Sequence, residues 1–370
     1  ALTEIPADLY LMLGRAYREI GNPDAAQIAF QTLITQYVND PLFGDALLEQ
    51  GRTRFLSGDI PAAIETYLGI VDRYGYLTDT AAEAMWRAGY LYGTNDNTAL
   101  SRQVFTQLAN DYPNTEWAAN GLFLAASAAI SGQEWAVAEN LYNRIAAIAT
   151  GDDQAAAYLW VARLAIQQNN QTAAVETLAL AEAAAPDSYF AARAADLRTS
   201  RQPFQPPASY TFEFDESADR MAAEEWLRAV TGTEAAGELW QMPAELADDA
   251  RLVRGNELWM VGARDEALDE FGSILDDSRE SKDLLTAYRM AVHLRELGAY
   301  RLSIVAAADI IRNASVSTLD APAYIARMRY PIYYQDLIIP GASNYSIDPL
   351  LMFALIRQES LFDASAISFA

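Results

Sequence analysis

Apolar positions along this chain recur at helical spacing, and in its first half they also recur at a longer period. Gly14, Gly51 and Gly89 lie 37 and 38 residues apart, Tyr37, Tyr74 and Tyr112 take the same steps, and Ala25, Ala62 and Ala99 are each 37 apart. One unit runs Leu13-Gly14-x-x-Tyr17, then Gly21, Ala25-Ala26, Phe30 and a terminal Tyr37. Self-similarity at such a period marks a supersecondary unit that stacks on copies of itself. Small residues let two helices approach closely, and the aromatic residues fill the gaps between units. The pattern loosens after Asp111-Tyr112-Pro113-Asn114, through Gly132 and Tyr142, and the same boundary returns at Ala185-Pro186-Asp187. A second block repeats the theme, with Gly262 followed by Ala267 and Phe271, and Gly298 by Tyr300 and Ser303. Between the blocks, Thr199–Ser209 holds three prolines, which cannot continue a helix. Near the end, Asp348 suits an N-cap and Pro349 a first helical position. Leu350, Leu351, Ala354, Leu355 and Ile356 then form a wide apolar stripe, which predicts a buried helix carrying Glu359 near its end.

The repeated unit resembles the tetratricopeptide helix–turn–helix. The pattern therefore predicts an all-α chain: repeats over 1–198, a Pro-rich linker over 199–216, a second repeat block over 217–321, and a distinct segment over 322–370. Repeats of this kind stack into a superhelix in which each unit touches only its neighbours. A chain of 370 residues also exceeds what one core usually supports. It contains no uncharged 18-residue run, so no membrane-spanning helix is expected. Its start, Ala-Leu-Thr-Glu-Ile-Pro, has neither a basic flank nor an apolar core, reads as processed or partial, and says little about compartment. The absence of Cys excludes disulfides and thiolate chemistry. The net charge of −24 opposes nucleic acid and anionic lipid as partners. Peptidoglycan is anionic too, so any binding to it must come from local contacts.

The stretch Tyr330-Pro331, Tyr333, Asp348-Pro349, Arg357-Gln358-Glu359-Ser360, Phe362-Asp363 and Ser368 resembles the start of the catalytic domain of soluble lytic transglycosylases. These goose-lysozyme-like enzymes cleave peptidoglycan, and they join a long helical superhelix to that domain. The resemblance spans about 40 residues. In the family a Gly-Ala-x-Gly-Leu-Met-Gln segment and most of the glycan cleft follow, whereas this sequence stops at Ala370; the 370 residues by themselves are therefore expected to be inactive. The resemblance implies that Glu359 is the single catalytic acid, acting without a cofactor. It would protonate the oxygen between N-acetylmuramic acid and N-acetylglucosamine, then take the proton of the muramoyl C6 hydroxyl to give a 1,6-anhydro product. The substrate's acetamido group would replace the second carboxylate of ordinary glycosidases. A carboxyl group held against apolar surface has a raised pKa and serves this role. The resemblance also puts Ser368 beside the acid and implies an extracytoplasmic location, with glycan strands or an envelope protein on the concave repeat face.

Other candidates carry less. Asp363 lies four residues after Glu359, but Ser365 and Ala366 suggest a new helix that Asp363 would cap. Ser360 would tie the helix end to the next turn, and one of Arg357 and Gln358 should point away from the cleft. His293, the sole histidine, falls on an amphipathic helix where packing is its ordinary role. The pairs Asp248-Asp249 and Asp276-Asp277 lack the spacing of a calcium loop. Trp86, Trp117, Trp135 and Trp160 recur in the repeats, where packing comes before sugar stacking. The rival reading is a non-catalytic repeat scaffold that recruits protein partners in the envelope.

Overall fold

The computed structural model describes residues 5–202 and 210–367, and among them it contains twenty helices and no strand. Most of the Pro-rich stretch lies outside the described residues. The chain divides into two compact units, 1–203 and 204–370.

The first unit holds α1 (Ala7–Glu19), α2 (Pro23–Gln36), α3 (Phe43–Leu56), α4 (Ile60–Tyr74), α5 (Thr78–Thr94), α6 (Thr98–Asp111), α7 (Glu116–Ser131), α8 (Trp135–Ile148), α9 (Gly151–Gln167), α10 (Gln171–Ala184) and α11 (Tyr189–Arg198). The second holds α12 (Glu216–Thr231), α13 (Ala244–Ala247), α14 (Ala250–Val261), α15 (Arg264–Glu280), α16 (Leu284–Leu297), α17 (Tyr300–Asn313), α18 (Ala323–Arg329), α19 (Gln335–Asn344) and α20 (Pro349–Ser360). The second repeat block and the 322–367 segment thus share one unit.

One packing device recurs. A Cβ at Gly14, Gly51, Gly89 or Gly255 would stand within 2.6 Å of the ring of Phe30, Tyr67, Phe105 or Phe271, in each case 16 residues later. The first helix of each pair is glycine there because an aromatic ring of the second helix occupies the space of a side chain. Seven residues after the small position the backbone turns left-handed, at Gly21, Gly58 and Gly262 but also at Asp96, Gln133 and Asn169. Asn and Asp tolerate this conformation better than most non-glycine residues, and Gln133 shows that the turn can also be imposed by its surroundings. The next N–H then bonds back into the first helix, Asn22 to the Tyr17 carbonyl at 2.8 Å and Ala263 to that of Leu258 at 3.0 Å. Asn22, Asp59, Asn97 and Asn170 follow as N-caps of the second helices. By these marks α14/α15 is a repeat in phase with α1/α2. α16/α17 is another, with buried Ala291 in the glycine position and Gly298 in the turn.

A buried ion cluster joins neighbouring pairs in the first unit. Glu49 on α3 is 5% exposed and binds Arg15, at 2.7 Å, and Arg18 of α1. Burial pushes its carboxyl up, but the two guanidinium groups outweigh that and hold it below the usual range.

Candidate functional site

The 322–367 segment is held on the second repeat block by aromatic packing. Asp348 caps α20, accepting from the Leu350 N–H at 2.9 Å, and also accepts from the Tyr210 hydroxyl at 3.0 Å. Phe353, Phe362 and Ile304 of α17 form a small buried cluster. Tyr333 stacks on Tyr300 at 3.8 Å and meets Phe362 edge-on at 5.6 Å; burial pushes its hydroxyl up to about 12. Arg357 lies over the Tyr330 ring at 4.2 Å and donates from Nε to the Arg329 carbonyl at 2.8 Å. Its burial lowers the guanidinium pKa from the ordinary value. Tyr330, Tyr333, Asp348, Arg357 and Phe362 therefore act together, as the anchor of α20.

The apolar stripe on α20 is not buried as its pattern predicts. Phe353 alone is buried on this helix, while Leu351 is 62% and Leu355 50% exposed. The row that faces the repeat block runs through Phe353, Ile356 and Arg357. Leu351, Leu355 and Glu359 follow one another at four-residue steps, so they share another face, which no described residue covers. Glu359 is exposed, and the sheltered proton donor expected at this position instead stands in water. Of the motif's middle pair, Gln358 is the exposed one and Arg357 is anchored. Ser360 donates to the Ile356 carbonyl at 3.2 Å, a bond within its own helix. Ser368 lies outside the described residues.

The expected helix after Asp363 does not appear through residue 367. Leu361 and Phe362 are both left-handed, φ 50° and 61°, so the chain leaves α20 sharply and Asp363 is not one helical turn from Glu359. Such backbone costs about 1–3 kcal/mol per residue, and burial of Phe362 helps to offset it. Asp363 caps a turn, accepting from the Ser365 N–H at 2.9 Å and hydroxyl at 2.6 Å.

A feature that sequence reasoning missed also supports α20. Tyr210, Phe212 and Phe214 alternate along non-helical backbone that crosses the segment like a strap. Tyr210 binds Asp348, Phe212 packs edge-on against Phe353 at 5.6 Å, and Phe214 carries the Arg327 guanidinium at 3.9 Å. The period-two alternation after the prolines was the available signal.

Elsewhere the packing roles prevail. His293 is half-buried, with Nε2 2.8 Å from the Asn256 side-chain oxygen, and burial holds its pKa below the ordinary value. Asp249 caps α14 and pairs with Arg251, which also binds Asp277 at 2.6 Å, while Asp276 pairs with Arg279. No group of three or more His, Cys, Asp or Glu suited to a metal ion occurs among the described residues, and no described helix is long and apolar enough to cross a membrane. Trp86 packs on Trp117 at 5.3 Å, and Trp160 lies between Tyr142 and the Arg163 guanidinium.

Residues 11–77 and 83–115 match the tetratricopeptide repeat family. These stretches are tetratricopeptide repeats. Among solved structures, the chain is similar to the MamA protein at 17% identity, over 54% of this chain and 98% of that one, with a TM-score of 0.34. A tetratricopeptide repeat protein from Parabacteroides merdae aligns at 13% identity over 72% and 91%, TM-score 0.33. BtubC from P. vanneervenii aligns at 12% over 56% and 86%, TM-score 0.35. No curated protein matches the chain. The tetratricopeptide matches lie in the first unit, so the resemblance over 330–368 rests on its own residues.

Proposed function

We propose that this chain is a tetratricopeptide scaffold that binds protein partners along the first helices of its repeat pairs. The carrying observation is that those helices use their small residues for packing yet leave large apolar side chains in solvent. Leu9 and Met12 on α1, Phe55 on α3, Tyr90 on α5 and Leu124 on α7 are each between 39% and 62% exposed. A row of such side chains on successive rigid helices suits a partner segment with apolar anchors, and the net charge of −24 favours one that also carries basic residues. The test is photo-crosslinking in the native host from residue 90 or 124, compared with residue 72 on α4. Adducts with one defined partner from 90 and 124 but not 72 support the scaffold. Equal labelling from all three positions, or none, overturns it.

A second reading is carried by the anchor of α20. The motif's aromatic residues, aspartate and arginine fix the helix while leaving Glu359 on an open face beside Leu355. This supports a segment of a peptidoglycan lytic transglycosylase in the cell envelope, in which Glu359 is both acid and base and Ser360 and Ser368 lie near it. Apolar cover over Leu351 and Leu355 would shelter Glu359 as the chemistry requires. In this reading the 370-residue chain releases no 1,6-anhydro ends from purified sacculi. In a longer polypeptide that does release them, Glu359→Gln abolishes turnover with helix content intact; turnover retained in that variant removes Glu359 from the mechanism.

A further inference from the structure

A pocket of about 350 Å³ opens in the second unit between the turn of α14/α15, the start of α17 and the turn that follows α20. Its walls combine chemistry that neither reading of the function uses. Trp259 is fixed by donating from Nε1 to the Leu297 carbonyl at 3.0 Å, and the Arg264 guanidinium sits over it, 3.7 Å from the ring centre. The guanidinium is exposed, which leaves its N–H groups available to a planar acceptor. Tyr300 is pinned by Tyr333 and meets Tyr334 edge-on at 5.5 Å. Arg301 and Asp363 complete the rim.

The charges decide what the pocket can take. Acids outnumber bases 50 to 26 in this chain, and many of its arginines are paired with carboxylates. Arg264 and Arg301 pair with none among the described residues. Both guanidinium groups are exposed at the pocket and free to meet a carboxylate from outside. A plain anion would be opposed by the net charge of −24, whereas a molecule of zero net charge is not. Asp363 supplies the complement. Only one of its oxygens is engaged, by Ser365, and a carboxylate can accept about four hydrogen bonds.

We propose that this pocket binds an amino-acid- to dipeptide-sized zwitterion, with its carboxylate on Arg264 and Arg301, its ammonium group on Asp363, and its side chain between Trp259 and Tyr300. The volume is at the small end for ligand sites, which run from about 300 to 1,000 Å³. Occupancy would also fix the turn after α20, because Asp363 and Ser365 belong to both. The inference goes beyond the scaffold and enzyme readings and does not depend on either.

The test is calorimetric titration of the full chain with the dipeptide Ala-Phe, its C-terminal amide and its N-acetyl form. Ala-Phe is expected to bind, the amide and Arg301→Gln each to weaken binding about tenfold or more, and Arg264→Gln to do the same. Asp363→Asn should weaken Ala-Phe but not the N-acetyl form, a pattern that general damage to the fold would not produce. Unchanged circular dichroism of the exposed arginine variants confirms that they fold. No binding of Ala-Phe at about 10 mM, equal affinity for the amide, or indifference to both arginine substitutions overturns the proposal.

Discussion

Helices α7 and α20 are both rich in apolar residues and have opposite fates. α7 buries Ala118, Ala119, Gly121, Leu122, Ala125, Ala126 and Ala129, whereas α20 buries only Phe353. The difference is one of neighbours. α7 packs against α5, α6 and α8, so its small side chains are covered from several directions. α20 packs on one side, and Leu351 and Leu355 face away. An apolar stripe states what a helix can bury; neighbours decide whether it does.

The largest expected effect lies where one ring of the first unit fills the space over two glycines. Phe105 fills the space over Gly89 and also over Gly121, where a Cβ would come within 2.5 Å of its ring. Phe105→Ala should cost about 3–5 kcal/mol, read by chemical denaturation; a loss under about 1 kcal/mol would mean that the glycine–aromatic device does not hold the pairs together. Gly255→Ala presses a methyl group into Phe271 and should cost about 1–3 kcal/mol, which would show that the second unit relies on the same device. A neutral outcome would separate the two units.

A smaller effect is expected at His293. Burial depresses its folded pKa below the ordinary 6.5, so its contribution is present above that value and lost as pH falls through the depressed one. His293→Gln should flatten the stability curve below about pH 6.5 while leaving it unchanged at higher pH; an unaltered slope would place the ring in water. Smallest of all, Leu355→Ala should change stability by no more than about 0.5 kcal/mol. A loss above about 1 kcal/mol would show that α20 is covered in solution and would break the comparison with α7.

The sequence made the repeats legible because two roles of glycine fall at fixed places. Gly14, Gly51 and Gly89 are spaced as packing residues, and Gly262 and Gly298 as turns. Gly255 escaped notice because nothing in a single glycine says whether it yields room or accommodates a left-handed backbone. Asp348 and Pro349 are readable locally, through capping chemistry; Phe353, the residue that α20 buries, lies outside the stripe that the periodicity picks out. The exposure of Glu359 is not readable, because it depends on what lies over Leu351 and Leu355, and helical spacing carries no information about that. The neighbours Ser365 and Ala366 predict a helix cap at Asp363, and it caps a turn instead, because the chain has already reversed at Leu361 and Phe362.

The strap has a consequence for how the two units form. In the first unit each pair can settle on the one before it, so order can follow synthesis from one end to the other. The second unit has no such freedom around α20. Tyr210 meets Asp348 across 138 residues, and Arg327 meets Asp219 across 108. Its earliest residues must wait for α20, and an aromatic ribbon remains unsatisfied until the ribosome has delivered that helix.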